Sequence, residues 1–268
     1  MIELFEQDVK TIDRQSSKGN QLKWSNSRNW YKADYTGYEG LAEYVISHLL
    51  KDSSLAEEEY ILYETEEMMY HRSKYLGCYS KDFLPKGWQL ITLERLFKNV
   101  YNESLNNSIY KISDVGQRLR FLVEQTVRIT GLKDFGAYMS KMLTLDAFFL
   151  NEDRHTHNIA VLLDEKGAYR YCPFFDNGAA LLSDTTMDYP IGEDVLNLMR
   201  DVKAKTFSTN FDEQLDVAEQ LYGQHVKFRF TIRDLERLLD KEPYYPTEIK
   251  ERIIELLRYQ RQKYQYLF

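Results

Sequence analysis

Only two cysteines, Cys78 and Cys172, stand in this chain of 268 residues. That excludes a disulfide framework of the kind that staples small secreted domains. The cytoplasm is the expected compartment, secretion by a route without a cleaved signal stays open, and both thiols read as buried small hydrophobes. Glycine (12) and proline (5) are scarce, so few long loops are expected. No internal repeat and no low-complexity tract is visible. No apolar run approaches the roughly 20 residues that a membrane span needs, and Met1-Ile2-Glu3-Leu4-Phe5-Glu6-Gln7-Asp8 lacks the basic-then-apolar order of a signal peptide. Neither a membrane nor a leader is expected. Basic charge is in deficit as well: 35 Lys and Arg against 42 Asp and Glu give a net charge of −7. Direct nucleic-acid binding, which favours a basic face, is therefore not expected. A local basic pocket for phosphates remains compatible with that balance.

What is present is ordinary for a globular protein: 43% hydrophobic and 29% charged residues, with 21 tyrosines that argue against widespread disorder. The length fits one large domain or two lobes of roughly 100–150 residues. Residues 1–35 read as short strands and turns, with Gly19 marking a turn and Asn29-Trp30-Tyr31-Lys32-Ala33 as a strand. From Glu39 to Leu50 the apolar residues Leu41, Val45, Ile46, Leu49 and Leu50 recur at helical spacing. Tyr60-Ile61-Leu62-Tyr63 and Trp88-Gln89-Leu90-Ile91-Thr92-Leu93 are candidate strands. After Leu96 the pattern turns helical, with helices expected over 114–130 and 134–150. A polar loop at 151–158 and a hairpin come next. Its strands are Ile159 to Leu163 and Ala168 to Phe175, joined at Asp164-Glu165-Lys166-Gly167. A β-rich part over residues 1–96 and a helical part over 97–268 are expected. The clusters Glu57-Glu58-Glu59 and Glu66-Glu67 read as solvated faces.

The chemistry-bearing stretch is Asn151-Glu152-Asp153-Arg154-His155-Thr156-His157-Asn158. Asp176 comes later, in Phe174-Phe175-Asp176-Asn177-Gly178. Phosphoryl transfer needs a carboxylate to orient the acceptor hydroxyl and oxygen ligands to hold magnesium on the phosphates. Asp153 suits the first role. Asn158 and Asp176 suit the second, because magnesium takes one or two carboxylates with phosphate oxygens and water. His155 reads as orienting the loop. With His157 it lacks the further ligands of a zinc site. Upstream, a nucleotide needs a cation on its phosphates. Lys32 on its strand and Glu43 on the next helix suit that pairing, with Glu39 as a competing partner. Ser16-Ser17-Lys18-Gly19-Asn20-Gln21-Leu22-Lys23 lies where a phosphate-covering loop belongs, though it is neither a Walker motif nor a three-glycine loop.

These segments resemble the HipA-like serine/threonine kinases. The family's Ser-x-x-Gly-x-Gln-x-Lys loop is matched by Ser16, Gly19, Gln21 and Lys23. Its strand lysine is matched by Lys32, and its helix glutamate by Glu43 before Tyr44-Val45-Ile46. Its Asn-x-Asp-x-His-x-x-Asn loop is matched by Asn151, Asp153, His155 and Asn158, and its metal-binding segment by Phe174-Phe175-Asp176. The resemblance covers about Ser16 to Gly178. It implies an α+β, two-lobed, protein-kinase-like fold, with a small β-rich N-lobe and a larger helical C-lobe. It implies ATP and Mg²⁺ as cofactors and transfer of the γ-phosphate to serine or threonine of an unidentified protein substrate. Adenine is expected near Thr92, Leu93 and Glu94, at the strand-to-helix connection where the lobe hinge should fall. It also implies an inhibitory autophosphorylation site at Ser16 or Ser17 and an antitoxin-like or regulatory protein partner. The family's toxins carry an N-terminal subdomain that is not expected ahead of Ser16, which counts against a toxin role. Asp176-Asn177-Gly178 is closer to the Asp-Phe-Gly of ordinary kinases. Phosphoinositide kinases share an Asp-Arg-His-x-x-Asn loop, so a lipid or small-molecule acceptor is the alternative. A catalytically inactive nucleotide- or partner-binding module on the same scaffold is another.

Overall fold

The computed structural model describes residues 1–10, 21–26 and 28–268. In chain order they form β1 (Ile2–Glu3), β2 (Lys23–Asn26), β3 (Asn29–Ala33), α1 (Glu39–Leu50), β4 (Tyr63–Tyr70), β5 (Ser73–Lys81) and β6 (Trp88–Thr92). Then come α2 (Leu93–Tyr101), α3 (Leu105–Tyr110), α4 (Val115–Thr130), α5 (Phe135–Phe149), β7 (Ala160–Asp164) and β8 (Tyr169–Tyr171). The chain ends in α6 (Val195–Asp201), α7 (Phe211–Tyr222), α8 (Ile232–Lys241) and α9 (Thr247–Lys263).

These elements pack as two compact units that interleave in sequence. One comprises Met1–Phe83, Asp176–Val202 and Lys227–Phe268; the other comprises Leu84–Phe175 and Lys203–Val226. The first unit holds a five-stranded sheet of order β1-β4-β5-β3-β2. Strand alternation sorts its side chains. Tyr31, Ala33 and Met68 join Leu4 and Trp24 in an apolar cluster on one face. Lys32 points to the opposite face, in register with Cys78 on β5. Helix α1 is buried over most of its surface, as expected of a helix that is apolar nearly all round. It approaches β5 at two glycines: a methyl group on Gly40 would lie 2.4 Å from the Gly77 carbonyl carbon.

The β4–β5 hairpin is the main departure from the sequence expectation. A strand was expected at Tyr60–Tyr63, but β4 begins at Tyr63 and runs through Glu64-Thr65-Glu66-Glu67. Glutamate is a poor strand former, so this run did not read as β. Its charges are partnered: Glu66 meets the Met1 amino group at 2.8 Å and Glu67 meets Lys74 at 3.3 Å. The two-residue turn was equally hidden. Tyr70 pairs with Ser73, leaving His71 and Arg72 at φ of 49° and 64°, where Asn-Gly is the usual signal.

The second unit holds a three-stranded sheet, β6-β7-β8, with α2 to α5 and α7. The sequence reading grouped β6 with residues 1–96, but β6 pairs along its length with β7, Trp88 opposite Asp164 and Thr92 opposite Ala160. The β7–β8 hairpin forms where expected, and Asp164 Oδ1 accepts bonds from the backbone N–H of Lys166 (2.9 Å) and Ala168 (2.7 Å) across its turn. Helix α4 starts at an Asp114 cap and ends at Gly131, whose φ of 75° closes the last turn. Cys78 and Cys172 are buried thiols. Among the described residues no helix is long and apolar enough to cross a membrane.

Gly40→Ala tests the close approach of α1 to β5. The added methyl must push the helix off the strand, and the expected loss is about 1–3 kcal/mol of stability, measured as a lower midpoint in chemical denaturation. An unchanged midpoint would show that α1 does not depend on this contact.

Candidate active site

In the first unit, three chain segments converge on one ammonium group. Lys32 Nζ lies 2.8 Å from Glu43 Oε1 and 2.8 Å from Asp176 Oδ1. The Lys32 side chain is 14% exposed and that of Glu43 2%, so water does little to screen the pair. Burial alone would push the Lys32 ammonium toward neutrality, but Asp176 and Glu43 outweigh it and hold its pKa well above the ordinary lysine value. The Tyr63 ring lies 5.2 Å from Lys32 Nζ, centroid to nitrogen, and adds a cation–π contact. Glu43 Oε2 accepts the Asn177 backbone N–H at 3.1 Å. Asp176 has φ of 61°, a left-handed conformation uncommon for an aspartate. Two residues on, a methyl on Gly178 would meet Glu39 Cβ at 3.3 Å.

Glu39, the competing partner for Lys32, is committed elsewhere. Its carboxylate accepts the backbone N–H groups of Thr36 (2.8 Å) and Gly37 (3.1 Å) and the Thr36 hydroxyl (2.8 Å). It therefore satisfies donors at the start of α1, where a negative charge is favourable. Gln21 donates to the Ala33 carbonyl at 2.9 Å. Ser16, Ser17, Lys18, Gly19 and Asn20 lie outside the described residues.

In the second unit, the expected loop is organised by a buried ion pair. Helix α5 is apolar around Asp146, and both Asp146 and Arg154 are 1% exposed at their side chains. Arg154 Nε lies 3.1 Å from each Asp146 oxygen, and Asn151 Nδ2 donates to Asp146 Oδ1 at 2.8 Å. Burial raises the Asp146 carboxyl pKa; Arg154 and Asn151 pull it back part of the way. Arg154 also donates to the carbonyls of Asn158 (3.2 Å) and Phe175 (2.9 Å), and its own carbonyl accepts the Thr206 hydroxyl at 2.6 Å. Leu150, at φ of 56°, turns the chain out of α5 into this frame.

Asp153 sits inside it at 7% exposure. His155 Nε2 is 3.8 Å from Asp153 Oδ1, and His155 Nδ1 accepts the His157 N–H at 3.2 Å. Asn158 donates its amide N–H to the Asp153 carbonyl at 2.9 Å, and its amide oxygen is an acceptor. Thr92 caps α2 by accepting the Arg95 N–H (3.3 Å), and Leu93 N–H donates to the Ile159 carbonyl (2.8 Å). Glu94 is buried and accepts the Asn106 N–H and the Thr156 hydroxyl, each at 2.9 Å. Burial would raise its pKa, but hydrogen bonds from Ser104, Asn106 and Thr156 prevail and hold it below the ordinary carboxylate value. The Glu94 side chain thus fastens the β6–α2 junction to the loop at 156.

Among the described residues no three His, Cys, Asp or Glu side chains form a metal cage. Magnesium on a nucleotide does not need such a cage. The Asp176 carboxylate in the first unit and the Asn158 amide oxygen in the second are each, taken separately, oxygen donors of the hardness it takes.

Comparison with protein-family models finds no match, and no curated protein matches. Among solved structures, the proinflammatory kinase CtkA of Helicobacter pylori matches with a TM-score of 0.65 at 16% identity, over 99% of this chain and 96% of that one. This chain has a kinase-like fold. The kinase-like fold that the motif resemblance implied is borne out. A chain of the Shewanella oneidensis MR-1 toxin–antitoxin complex of HipA, HipB and operator DNA also matches. Its TM-score is 0.43 at 13% identity, over 89% of this chain and 59% of that one. In this kinase-like fold the β3 lysine and α1 glutamate pair directly, and the loop at 151–158 stands on the buried Asp146–Arg154 bridge. That bridge was missed at the sequence level. The signal was available: a single carboxylate inside an apolar helix requires a buried partner.

Asp146→Ala leaves Arg154 buried and uncompensated, and is expected to cost about 3–5 kcal/mol. The double change Asp146→Leu, Arg154→Met removes both charges and should recover part of that loss, the remainder being the partners lost by Asn151 and by the Asn158 and Phe175 carbonyls. Equal stability of the single and double variants in urea titrations would show that the pair does not hold this loop.

Proposed function

We propose that this chain is a protein kinase that uses ATP and magnesium and transfers the γ-phosphate to serine or threonine hydroxyls. The observation that carries the reading is the buried Lys32 ammonium held by Glu43 and Asp176 in a kinase-like fold. Phosphoryl transfer asks the protein chiefly for positioning and electrostatic stabilisation. Lys32 is fixed, charged and shielded, which is what binding the α- and β-phosphates requires. Glu43 keeps it from swinging away. Asp176 and Asn158 would each offer an oxygen to magnesium, which when bound would offset charge on the phosphates. Asp153 accepts the hydrogen bond of the acceptor hydroxyl and orients its oxygen for attack. Asn158, by holding the Asp153 carbonyl, fixes the backbone from which that carboxylate projects. His155 supports the same loop. Thr92, Leu93 and Glu94, at the junction of β6 and α2, are the proposed place for adenine.

Asp153→Asn keeps the shape of the side chain and removes the charge that accepts the hydroxyl's proton. Transfer to protein acceptors should be lost while ATP affinity stays within a few-fold of wild type, as read by labelled ATP and by calorimetry. Undiminished transfer would contradict the role of Asp153. Transfer confined to lipid or small-molecule acceptors would redirect the reading to those substrates. Tight binding of magnesium-ATP without transfer to any acceptor would make the chain a binding module.

Ser16 and Ser17 are the proposed autophosphorylation sites. A phosphoserine adds about −1.5 to −2 charges and would repel the nucleotide phosphates, so the mark should lower the sustained rate. Mass spectrometry after incubation with magnesium-ATP should find it in wild type and not in Asp153→Asn. Its absence from both serines in wild type would end this part of the proposal.

A further inference from the structure

The Lys32–Glu43 pair depends on how α1 meets the end of β3, and that junction is held from the far end of the chain. Asp34, two residues past Lys32, sits at the centre. One carboxylate oxygen accepts the Gly40 backbone N–H at 2.6 Å, in the first turn of α1, and the other accepts the Tyr245 hydroxyl at 2.6 Å. Tyr245 lies in the connection between α8 and α9 and is 6% exposed. That connection is itself fixed. Glu242, 3% exposed, accepts the backbone N–H groups of Tyr244 (2.9 Å) and Tyr245 (3.0 Å). It also pairs with Lys250 at 3.2 Å and accepts the Thr65 hydroxyl of β4 at 3.1 Å. A segment more than 200 residues from Lys32 in sequence thus grips β4, the end of β3 and the start of α1 within one compact unit.

We propose that the α8–α9 connection is a latch on the Lys32–Glu43 pair, with Tyr245 as its positioning residue and Asp34 as the group it holds. With the latch closed, α1 is fixed one turn before Glu43 and the carboxylate stays on Lys32. With the Tyr245 hydroxyl removed, Asp34 keeps its bond to the Gly40 N–H but loses the partner that fixes its carboxylate, and Glu43 is freer to drift from the ammonium. Tyr245 touches no reacting atom; it acts through Asp34, Gly40 and Glu43. The effect on transfer rests on the kinase reading, but the effect on Lys32 does not.

The latch is also pH-sensitive. The groups facing Asp34 are Glu39 on α1, Glu242 and Tyr245 between α8 and α9, and Cys78 on β5. Burial raises the Asp34 pKa from 3.8 to about 7; the Tyr245 bond lowers it and Glu39 raises it further. Above that value the carboxylate accepts both bonds. Below it the carboxyl is neutral: its O–H can donate to the Tyr245 hydroxyl instead of accepting from it, and the Gly40 N–H keeps only the weaker bond to an uncharged oxygen, which loosens the start of α1. Because the folded state holds this proton more tightly than the unfolded chain, Asp34 lowers stability progressively as pH rises from 3.8 to about 7. Closing the latch therefore comes at the expense of stability.

The test is the rate at which an amine-reactive ester acylates Lys32, mapped by mass spectrometry, with the exposed Lys74 of the same molecule as reference. Tyr245→Phe and Asp34→Asn should each speed Lys32 acylation relative to Lys74 by about 3- to 10-fold, the range that loss of one hydrogen bond allows. Transfer activity gives a second readout. Losing the Tyr245 bond should move the acid limb of the rate–pH profile to higher pH, and Asp34→Asn should abolish that limb. Wild-type Lys32 rates in both variants, with circular dichroism unchanged, would overturn the latch. If Tyr245→Phe does not fold, Asp34→Asn and Thr65→Val decide by the same labelling. If wild type transfers no phosphate at all, the kinase reading fails while the labelling still decides the latch.

Discussion

A lysine ammonium with 14% of its side chain exposed is tolerable only if anions surround it, and the first unit is arranged around that requirement. Leaving one member of such a group unpaired costs about 3–5 kcal/mol. Each of the three segments that meet there is therefore tied to the others by electrostatics as well as by packing. Strand β3 supplies Lys32, α1 supplies Glu43, and the turn at Asp176-Asn177-Gly178 supplies a carboxylate and a backbone donor. The small residues serve the same end. Gly40 and Gly77 let α1 come close to β5, and Gly178 fits against Glu39. The segment beyond Gly178 is drawn in as well. The Leu181 and Ser183 carbonyls accept bonds from Tyr38 at the start of α1, and the backbone N–H groups of Thr185 and Thr186 donate to the Thr36 carbonyl.

The second unit solves a parallel problem with a different device. Its loop at 151–158 carries several polar side chains that are largely buried, and such a loop needs an internal frame to satisfy its backbone. Arg154 provides it. One guanidinium reaches Asp146 in α5 and the carbonyls of Asn158 and Phe175. A planar fork of five donors suits this work better than a lysine would. Arg154, which has no proposed chemical role, thereby holds the Asn158 backbone, and Asn158 in turn holds the Asp153 carbonyl.

The sequence made some of this legible and hid the rest for identifiable reasons. Helix α1 was readable to the residue because its apolar positions repeat cleanly, and the β7–β8 hairpin because Asp164 to Gly167 is a strong turn signal. The Lys32–Glu43 pairing was only half legible. Glu39 and Glu43 share a helix face, and what separates them is the path of residues 34–38, which turns Glu39 back on its own N-terminus. The β4–β5 hairpin was hidden by glutamates in the strand and by a turn without glycine. Sequence separation hid the rest. Nothing at Glu242 or Tyr245 points to Asp34, and nothing at Ile232–Lys263 announces that these helices pack in the same unit as residues 1–83. The motifs named the chemistry, but the contacts that hold those motifs in place are long-range.

The central claim is that Lys32 and Glu43 act as one unit in binding and transferring phosphate. A double-mutant cycle on phosphotransfer, with Lys32→Met, Glu43→Gln and both together, tests it most directly. If Glu43 works by holding Lys32, the double variant should be little worse than either single one, with a coupling of about 0.5–3 kcal/mol, as found for residues in contact. Losses that simply add would contradict the account, because they would mean that the two residues serve separate ends despite the 2.8 Å between them.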